Sequence, residues 1–204
     1  MVPDKLGWFR RILSKVGKRL LWWRQPKLSG LMFSLTYLED VKMLMDLTDG
    51  TLESALQEFH RLGKLAGHDI TYEFLDIGKY VFSKSLTDLP IIIETSYYVM
   101  TGQRFSSCKY YPPDDKVPHP RVIFTLDRCM FCGSLKEDKT IDVNKETMGS
   151  QTWGSVMAGV VEAAVETIEE YVENKITVEV KETKCIMRGD PYAEFTINLY
   201  PAES

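Results

Sequence analysis

The sequence predicts an α+β fold in which helices pack on one face of a four-stranded antiparallel sheet. Three observations lead there. After a basic N-terminal arm, the hydrophobic periods read as three helices, two strands, one long helix and two strands. The last three elements run without interruption as GSQTWGSVMAGVVEAAVETIEEYVENK, ITVEVKETKCIM and RGDPYAEFTINLY, and the period changes from three-to-four to two at Ile176. The composition, 44% hydrophobic and 26% charged over 204 residues, is that of one folded body with a core of its own.

The arm, residues 1–28, holds eight Lys or Arg against one acid, a charge of +7 that leaves −11 for the rest of a chain whose total is −4. As a helix, KLGWFRRILSKVGKRLLWWRQP places Leu6, Phe9, Leu13, Val16 and Leu20 on one face, with Ile12 and Trp23 beside it. Two readings stand side by side. In one, the helix lies in a membrane interface, with Trp8, Trp22 and Trp23 at headgroup depth, Phe9 among the apolar residues, and Arg10, Arg11, Lys15, Lys18 and Arg19 toward anionic lipid. In the other, it docks on its own body or on a second copy, its cations against an acidic surface. Nucleic acid is not expected as a partner, because a basic footprint should extend over the folded body, which is acidic.

Pro26 to Gly30 separates the arm from a body expected at residues 31–204. There, Leu35, Leu38, Val41 and Met45 set a helical stripe that Gly50 stops. A second helix starts at Thr51, where Thr51 and Ser54 can cap, and runs through Leu56, Phe59, Leu62 and Ala66 toward Phe74. Gly63 and Gly67 within it predict a close helix crossing. Asp88-Leu89-Pro90 opens a third helix over residues 91–100; the apolar run alone fits helix or strand, and Pro in the first turn with Thr101-Gly102 at the end selects helix. Strands over residues 105–111 and 121–128 enclose a proline-rich loop, with Val122, Phe124 and Leu126 alternating in the second. A turn at Cys129–Gly133 and a polar loop from Ser134 to Met148 lead to the long helix. Its buried stripe is Trp153, Met157, Val160, Ala164, Ile168 and Tyr171, with Glu162, Glu166, Glu169, Glu170 and Glu173 expected on the opposite, solvent face. Ile176, Val178 and Val180, then Phe195, Ile197 and Leu199, alternate on either side of the turn Gly189-Asp190-Pro191.

No apolar run approaches the roughly 20 residues of a membrane span. The hydrophobic residues near the N-terminus are interrupted by Arg and Lys, unlike a signal peptide. A cytoplasmic protein is therefore expected, at most peripherally attached to a membrane, with its four cysteines as thiols or metal ligands rather than disulfides. Cys129-x-x-Cys132-Gly133 has the spacing of half a zinc knuckle, and Cys185, Cys108 and His119 are the further soft donors, so zinc is the cofactor to test. The alternative is four ordinary buried cysteines. Tyr97, Tyr98, Tyr110, Tyr111 and Trp153 are candidates to line a ligand cavity, or they are plain core. His60 is read as a surface or hydrogen-bonded histidine and His119, between two prolines, as exposed. No Ser-His-Asp order, nucleophile elbow, P-loop or dinucleotide glycine motif is present, and no catalytic residue is assigned.

The closing pattern, a long Gly-bearing helix, an alternating strand, then Cys185-x-x-x-Gly189-Asp190-Pro191-x-x-x-Phe195, resembles the 4-vinyl-reductase (4VR) domain. The opening Phe33-Ser34-Leu35-Thr36-Tyr37, followed by an amphipathic helix and a Gly-containing second helix, resembles the TRAPP vesicle-tethering subunits of the Bet type. The resemblance covers residues 31–200 and leaves the arm outside it; a sequence with features of both families would suit an archaeal TRAPP-like protein. It implies a homodimer, or a hetero-oligomer with TRAPP-like partners, around a hydrophobic cavity. In the sensors of the first family the cavity takes a small hydrophobic molecule; in the second it can take an acyl chain, in a scaffold that works on membranes. Neither is an enzyme by this resemblance. Some of the sensors hold zinc through a Glu, a Cys three residues on, a second Cys eight further and a Cys near the long helix. Glu182 and Cys185 match the first two, but Ala193 stands at the third and the long helix has no Cys. The acylated Cys of the TRAPP subunits lies before the third helix, where residues 80–90 contain none. The expected function is a non-enzymatic binding or scaffold module for a hydrophobic ligand or acyl chain; the alternative is a small-molecule sensor with a structural zinc.

Overall fold

The computed structural model describes residues 2–24, 30–78, 80–132 and 140–201. Five helices, α1 Trp8–Arg24, α2 Gly30–Leu47, α3 Leu52–Gly78, α4 Leu89–Thr101 and α5 Ser155–Tyr171, accompany four strands, β1 Ser107–Tyr111, β2 Arg121–Leu126, β3 Ile176–Lys184 and β4 Ala193–Pro201. The strands form one antiparallel sheet in the order β1-β2-β4-β3. The α+β class and the element order are those expected from the sequence. The break at Pro26 and the turn and loop residues from Gly133 to Lys139 lie outside the described residues.

Alternation fixes which face of the sheet is buried. Val122, Phe124 and Leu126 on β2, Val178 and Val180 on β3, and Ala193, Phe195, Ile197 and Leu199 on β4 all point to the helices. Phe124 and Phe195, partners in register, stack at 4.9 Å, and Phe105 packs on Phe124 at 4.4 Å. Phe105 therefore belongs to the core just ahead of β1, which starts two residues later than the sequence suggested. β3 ends at Lys184 after a bulge, and Ile186–Arg188 form a 3₁₀ turn instead of continuing the strand. Gly189 follows at φ 93°, a left-handed conformation that suits glycine.

α5 lies on β3, and α3 crosses α5 on its other side. The crossing is backbone on backbone, as Gly63 and Gly67 predicted. A Cβ at Gly63 would strike the Val156 carbonyl, and one at Gly159 of α5 would strike the His60 carbonyl. Covered on two sides, α5 keeps Glu170, and Glu173 just past its end, exposed as expected and Glu166 half-buried, but it buries Glu162 and Glu169, which corrects the expectation for those two. Glu162 is buried, receiving Lys64 Nζ at 2.6 Å and the Val180 N–H at 2.9 Å, with His60 Nε2 at 3.6 Å. Burial alone would raise its pKa, but the hydrogen bonds from His60, Lys64 and Val180 overcome this and hold it down to about 2. Glu169 is 2% exposed, and burial pushes it up to about 7 despite a 2.6 Å hydrogen bond from Asn174 Nδ2. Among the described residues, no helix is long and apolar enough to cross a membrane.

Candidate functional site

A cavity of about 270 Å³ lies between α1, α3, α4, α5 and the segment Tyr80–Phe82. α3 contributes Gly67, Ile70, Thr71 and Phe74; α4 contributes Ile93, Thr95, Tyr97 and Val99; α5 contributes Val160, Ala164, Val165 and Ile168. Phe82 and Phe105 complete the apolar wall, and Leu13, Ser14, Gly17 and Lys18 form its α1 side. One feature of the sequence bears on the space: the α5 stripe narrows to alanine at Ala164. Gly67, also on the wall, lets α3 approach the α5 backbone at Val160. The volume lies just under the usual range of small-molecule pockets, roughly 300–1,000 Å³. Among its few polar groups, Ser14 Oγ and Thr95 Oγ1 are 2.6 Å apart, and Tyr97 donates its hydroxyl to Gln103 Oε1 at 3.1 Å. Burial pushes the Tyr97 phenol well up, so it stays neutral.

The α1 wall has an unusual build. The helix docks on α4 through its polar face. Asp88, fully buried at the start of α4, accepts the Leu6 N–H at 2.8 Å, the Ser83 hydroxyl at 2.9 Å and Arg11 Nη2 at 2.5 Å. Ser14 meets Thr95, Lys18 Nζ meets Glu94 Oε1 at 2.7 Å, and Trp22 rests on Tyr98 at 6.0 Å. The Trp22 ring also fills the space a side chain would need at Gly102, the residue at φ 71° that ends α4. Residues 11, 14, 18 and 22 recur every three or four positions, so one stripe of α1 makes all these contacts. Trp8, Phe9, Ile12, Val16, Leu20 and Trp23, on the opposite stripe, are exposed.

Of the aromatic candidates, only Tyr97 lines the cavity. Trp153 is a fully buried pin elsewhere: its indole N–H donates to the Phe131 carbonyl at 2.8 Å, its own carbonyl accepts the Tyr37 hydroxyl at 2.8 Å, and the two rings are 5.2 Å apart. Tyr98 is taken by Trp22. Tyr110 and Tyr111 sit on the edge strand β1, with Arg121 over the Tyr111 ring. Among the proposed membrane contacts, Arg11, Lys18 and Trp22 are committed to α4, Arg10 is half-buried, and Trp8, Phe9, Lys15, Arg19 and Trp23 are exposed.

The cysteines gather elsewhere. Cys129 and Cys132 share the turn after β2, with the Cys132 N–H donating to the Cys129 carbonyl at 3.2 Å. Their thiols are hydrogen-bonded to each other, which together with burial pushes Cys132 up. Cys185 follows β3 and is pushed up to about 12 by burial and by Glu182. Glu182 occupies an inward position of β3 opposite Phe195, and burial raises its pKa. Its Oε2 accepts the Gly154 N–H at 2.9 Å, while Oε1 is buried without a hydrogen bond of good geometry in the structure. Cys108 stands apart on β1 opposite Phe124, with its thiol raised to about 12 by burial and by Glu94. Among the described residues no group of three or more His, Cys, Asp or Glu is arranged to hold a metal ion. None of the four cysteines lines the cavity. The histidines have polar neighbours: His60 faces Glu162, His68 Nδ1 lies 2.8 Å from Thr167 Oγ1, and His119, half-buried rather than exposed, lies 3.1 Å from Asn198 Oδ1. A second hollow of about 440 Å³ between α3, α5 and β3 is polar, and its Glu162 is already fully engaged.

No protein-family model matches the chain, and no curated protein matches it. Solved structures do. A trafficking protein particle complex subunit 3 from Naegleria fowleri, covalently bound to palmitic acid, is 17% identical over 85% of this chain and 98% of its own, with a TM-score of 0.60. The phenol-responsive sensory domain of the transcription activator PoxR, solved with phenol, is 14% identical over 85% of this chain and 76% of its own, with a TM-score of 0.52. The chain has the fold that this trafficking subunit and this sensory domain share.

Proposed function

We propose that the protein is a non-enzymatic binding module and scaffold that holds a hydrophobic ligand in the cavity under α1. The observation that carries this is the cavity itself: largely apolar walls from four helices, with the Ser14 and Thr95 hydroxyls paired to each other. It suits a single alkyl chain or a small aromatic molecule. Both structural neighbours were solved with ligands of those kinds, palmitic acid in one and phenol in the other. The palmitic acid of the first is covalently bound; here no thiol lines the cavity, so the ligand is held without a bond. Exposed apolar residues on α2 (Met32, Met43, Leu47) and α3 (Leu65, Tyr72) favour assembly with a second copy or with TRAPP-like partners. Titration of the full chain with a dansyl-labelled fatty acid tests the reading. Saturable binding that Ala164→Phe weakens at least tenfold supports it; binding that Ala164→Phe leaves unchanged, with the variant folded, would refute it.

A second reading is a small-molecule sensor with a structural zinc. The observation favouring it is the convergence of Cys129, Cys132, Cys185 and the unpartnered Glu182 carboxylate oxygen on one buried corner. Those four groups are not arranged around an ion as they stand, so they would have to draw closer to hold one, whose charge would let the buried thiols ionise. The ion would staple the turn after β2 to the end of β3. Metal content of chain purified without chelator decides: one zinc per chain, lost in Cys185→Ser, supports the reading, and metal-free chain sinks it.

A further inference from the structure

α1 presents its apolar face outward because the polar face is already spent on α4. Trp8, Phe9, Val16 and Trp23 are 73%, 64%, 64% and 71% exposed, with Ile12 and Leu20 between them. The exposed cations Lys15 and Arg19 follow one flank of this face, and Leu13 and Gly17, on the other flank, belong to the cavity wall. We propose that this face docks flat on an anionic lipid bilayer, which sets the α1 wall of the cavity beside the acyl region. The occupant follows from charge and shape. The segment carries +7, so two copies meeting face to face would bring like charges together. The acids that α1 meets on the body, Asp88 and Glu94, are already paired with Arg11 and Lys18. A flat apolar stripe with a tryptophan at each end and cations along its edge is the build of a helix that lies at the headgroup boundary. Each Lys or Arg near an anionic surface strengthens binding roughly fivefold.

Docking has a consequence for the ligand, and this step alone rests on the cavity reading. An apolar molecule passing alongside Leu13 and Gly17 moves between bilayer and cavity without crossing water. The protein would then draw its ligand from the membrane on which it sits.

The test is sedimentation of the full chain with vesicles of phosphatidylcholine, alone or with phosphatidylserine. Wild type is expected to bind the anionic vesicles at least tenfold more tightly than the neutral ones. Phe9→Glu with Val16→Glu should abolish binding, and Lys15→Glu with Arg19→Glu should weaken it at least tenfold. Neither pair touches a docked residue, so circular dichroism and the melting temperature should match wild type. A folded Phe9→Glu/Val16→Glu variant that binds as wild type does would overturn the proposal. So would a wild-type dimer that this variant turns into a monomer while neither sediments, which would assign the face to a second copy. Ala164→Phe separates the two readings: it should still sediment even if the cavity binds nothing.

Discussion

Two helix pairs in this molecule are built on opposite principles. α3 and α5 meet through glycines, the bare Cα of each set against a carbonyl of the other helix, with the Lys64–Glu162 and His68–Thr167 pairs beside the crossing. α1 and α4 meet through an aspartate, two hydroxyls and two ion pairs, and the apolar side of α1 is left outside. The first pair is a rigid frame, since close backbone packing has one geometry. The second is held by directional polar contacts that specify where α1 sits but bury little apolar surface. The cavity lies between the frame and the docked helix, so its firm walls come from α3 and α5 and its changeable wall from α1.

The sharpest way to break the contrast is to put bulk into the frame. Gly159→Leu forces a side chain into the His60 carbonyl. It should cost about 3 kcal/mol or more, in the upper range for overpacking, and thermal denaturation would read this as global unfolding. If the variant melts as wild type does, the crossing is not close-packed.

Asp88→Ala attacks the docked pair instead. It leaves the buried Leu6 N–H and Ser83 hydroxyl without their acceptor and costs about 2 kcal/mol. The loss should be local: hydrogen exchange should speed up over residues 6–22 and leave α3 and α5 protected. Equal loss of protection in both pairs would erase the distinction.

Two glutamates seven residues apart on α5 give a pH test of comparable size. Glu169, raised to about 7 in the fold against an ordinary 4.5, favours the protonated folded state. Its contribution falls as pH rises from about 4.5 to 7 and stays low above. Glu169→Gln should flatten that decline and raise stability above pH 7, by on the order of 3 kcal/mol at roughly 1.4 kcal/mol per unit. Glu162, held at about 2, has the opposite sign. It stabilises above pH 4.5, and that stability is lost as pH falls through 2. Urea denaturation against pH for Glu169→Gln and Glu162→Gln should show the two slopes; identical profiles would contradict the assignment.

The smallest effect belongs to Lys18→Met. Its partner Glu94 is partly exposed, so the pair is worth about 0–1 kcal/mol. Urea titration should therefore find the variant within that margin of wild type.

The sheet was legible from sequence because strand alternation has a period of two and only one face is buried; Val122, Phe124, Leu126 and Phe195, Ile197, Leu199 all fall as expected. The α3–α5 crossing was legible from Gly63 and Gly67. The burial of Glu162 and Glu169 was not, because one helical stripe says nothing of a second covering layer. The docking face of α1 was hidden for a related reason. Its partners, Asp88 and Thr95, lie some 80 residues away in sequence, and a hydrophobic stripe normally predicts the buried side. The cavity is a space, and no periodicity encodes a space. Of the aromatic residues chosen for it only Tyr97 lines it, whereas the α5 wall is set by a small residue, Ala164, that interrupts an apolar stripe.

The central claim is that this fold holds a hydrophobic ligand without a covalent bond. Native mass spectrometry of the full chain, purified without detergent and loaded with a saturated fatty acid, tests it most directly. The account predicts added mass under gentle conditions that disappears on denaturation and is absent from Ala164→Phe. Bare chain under every condition, or mass that survives denaturation, would contradict it.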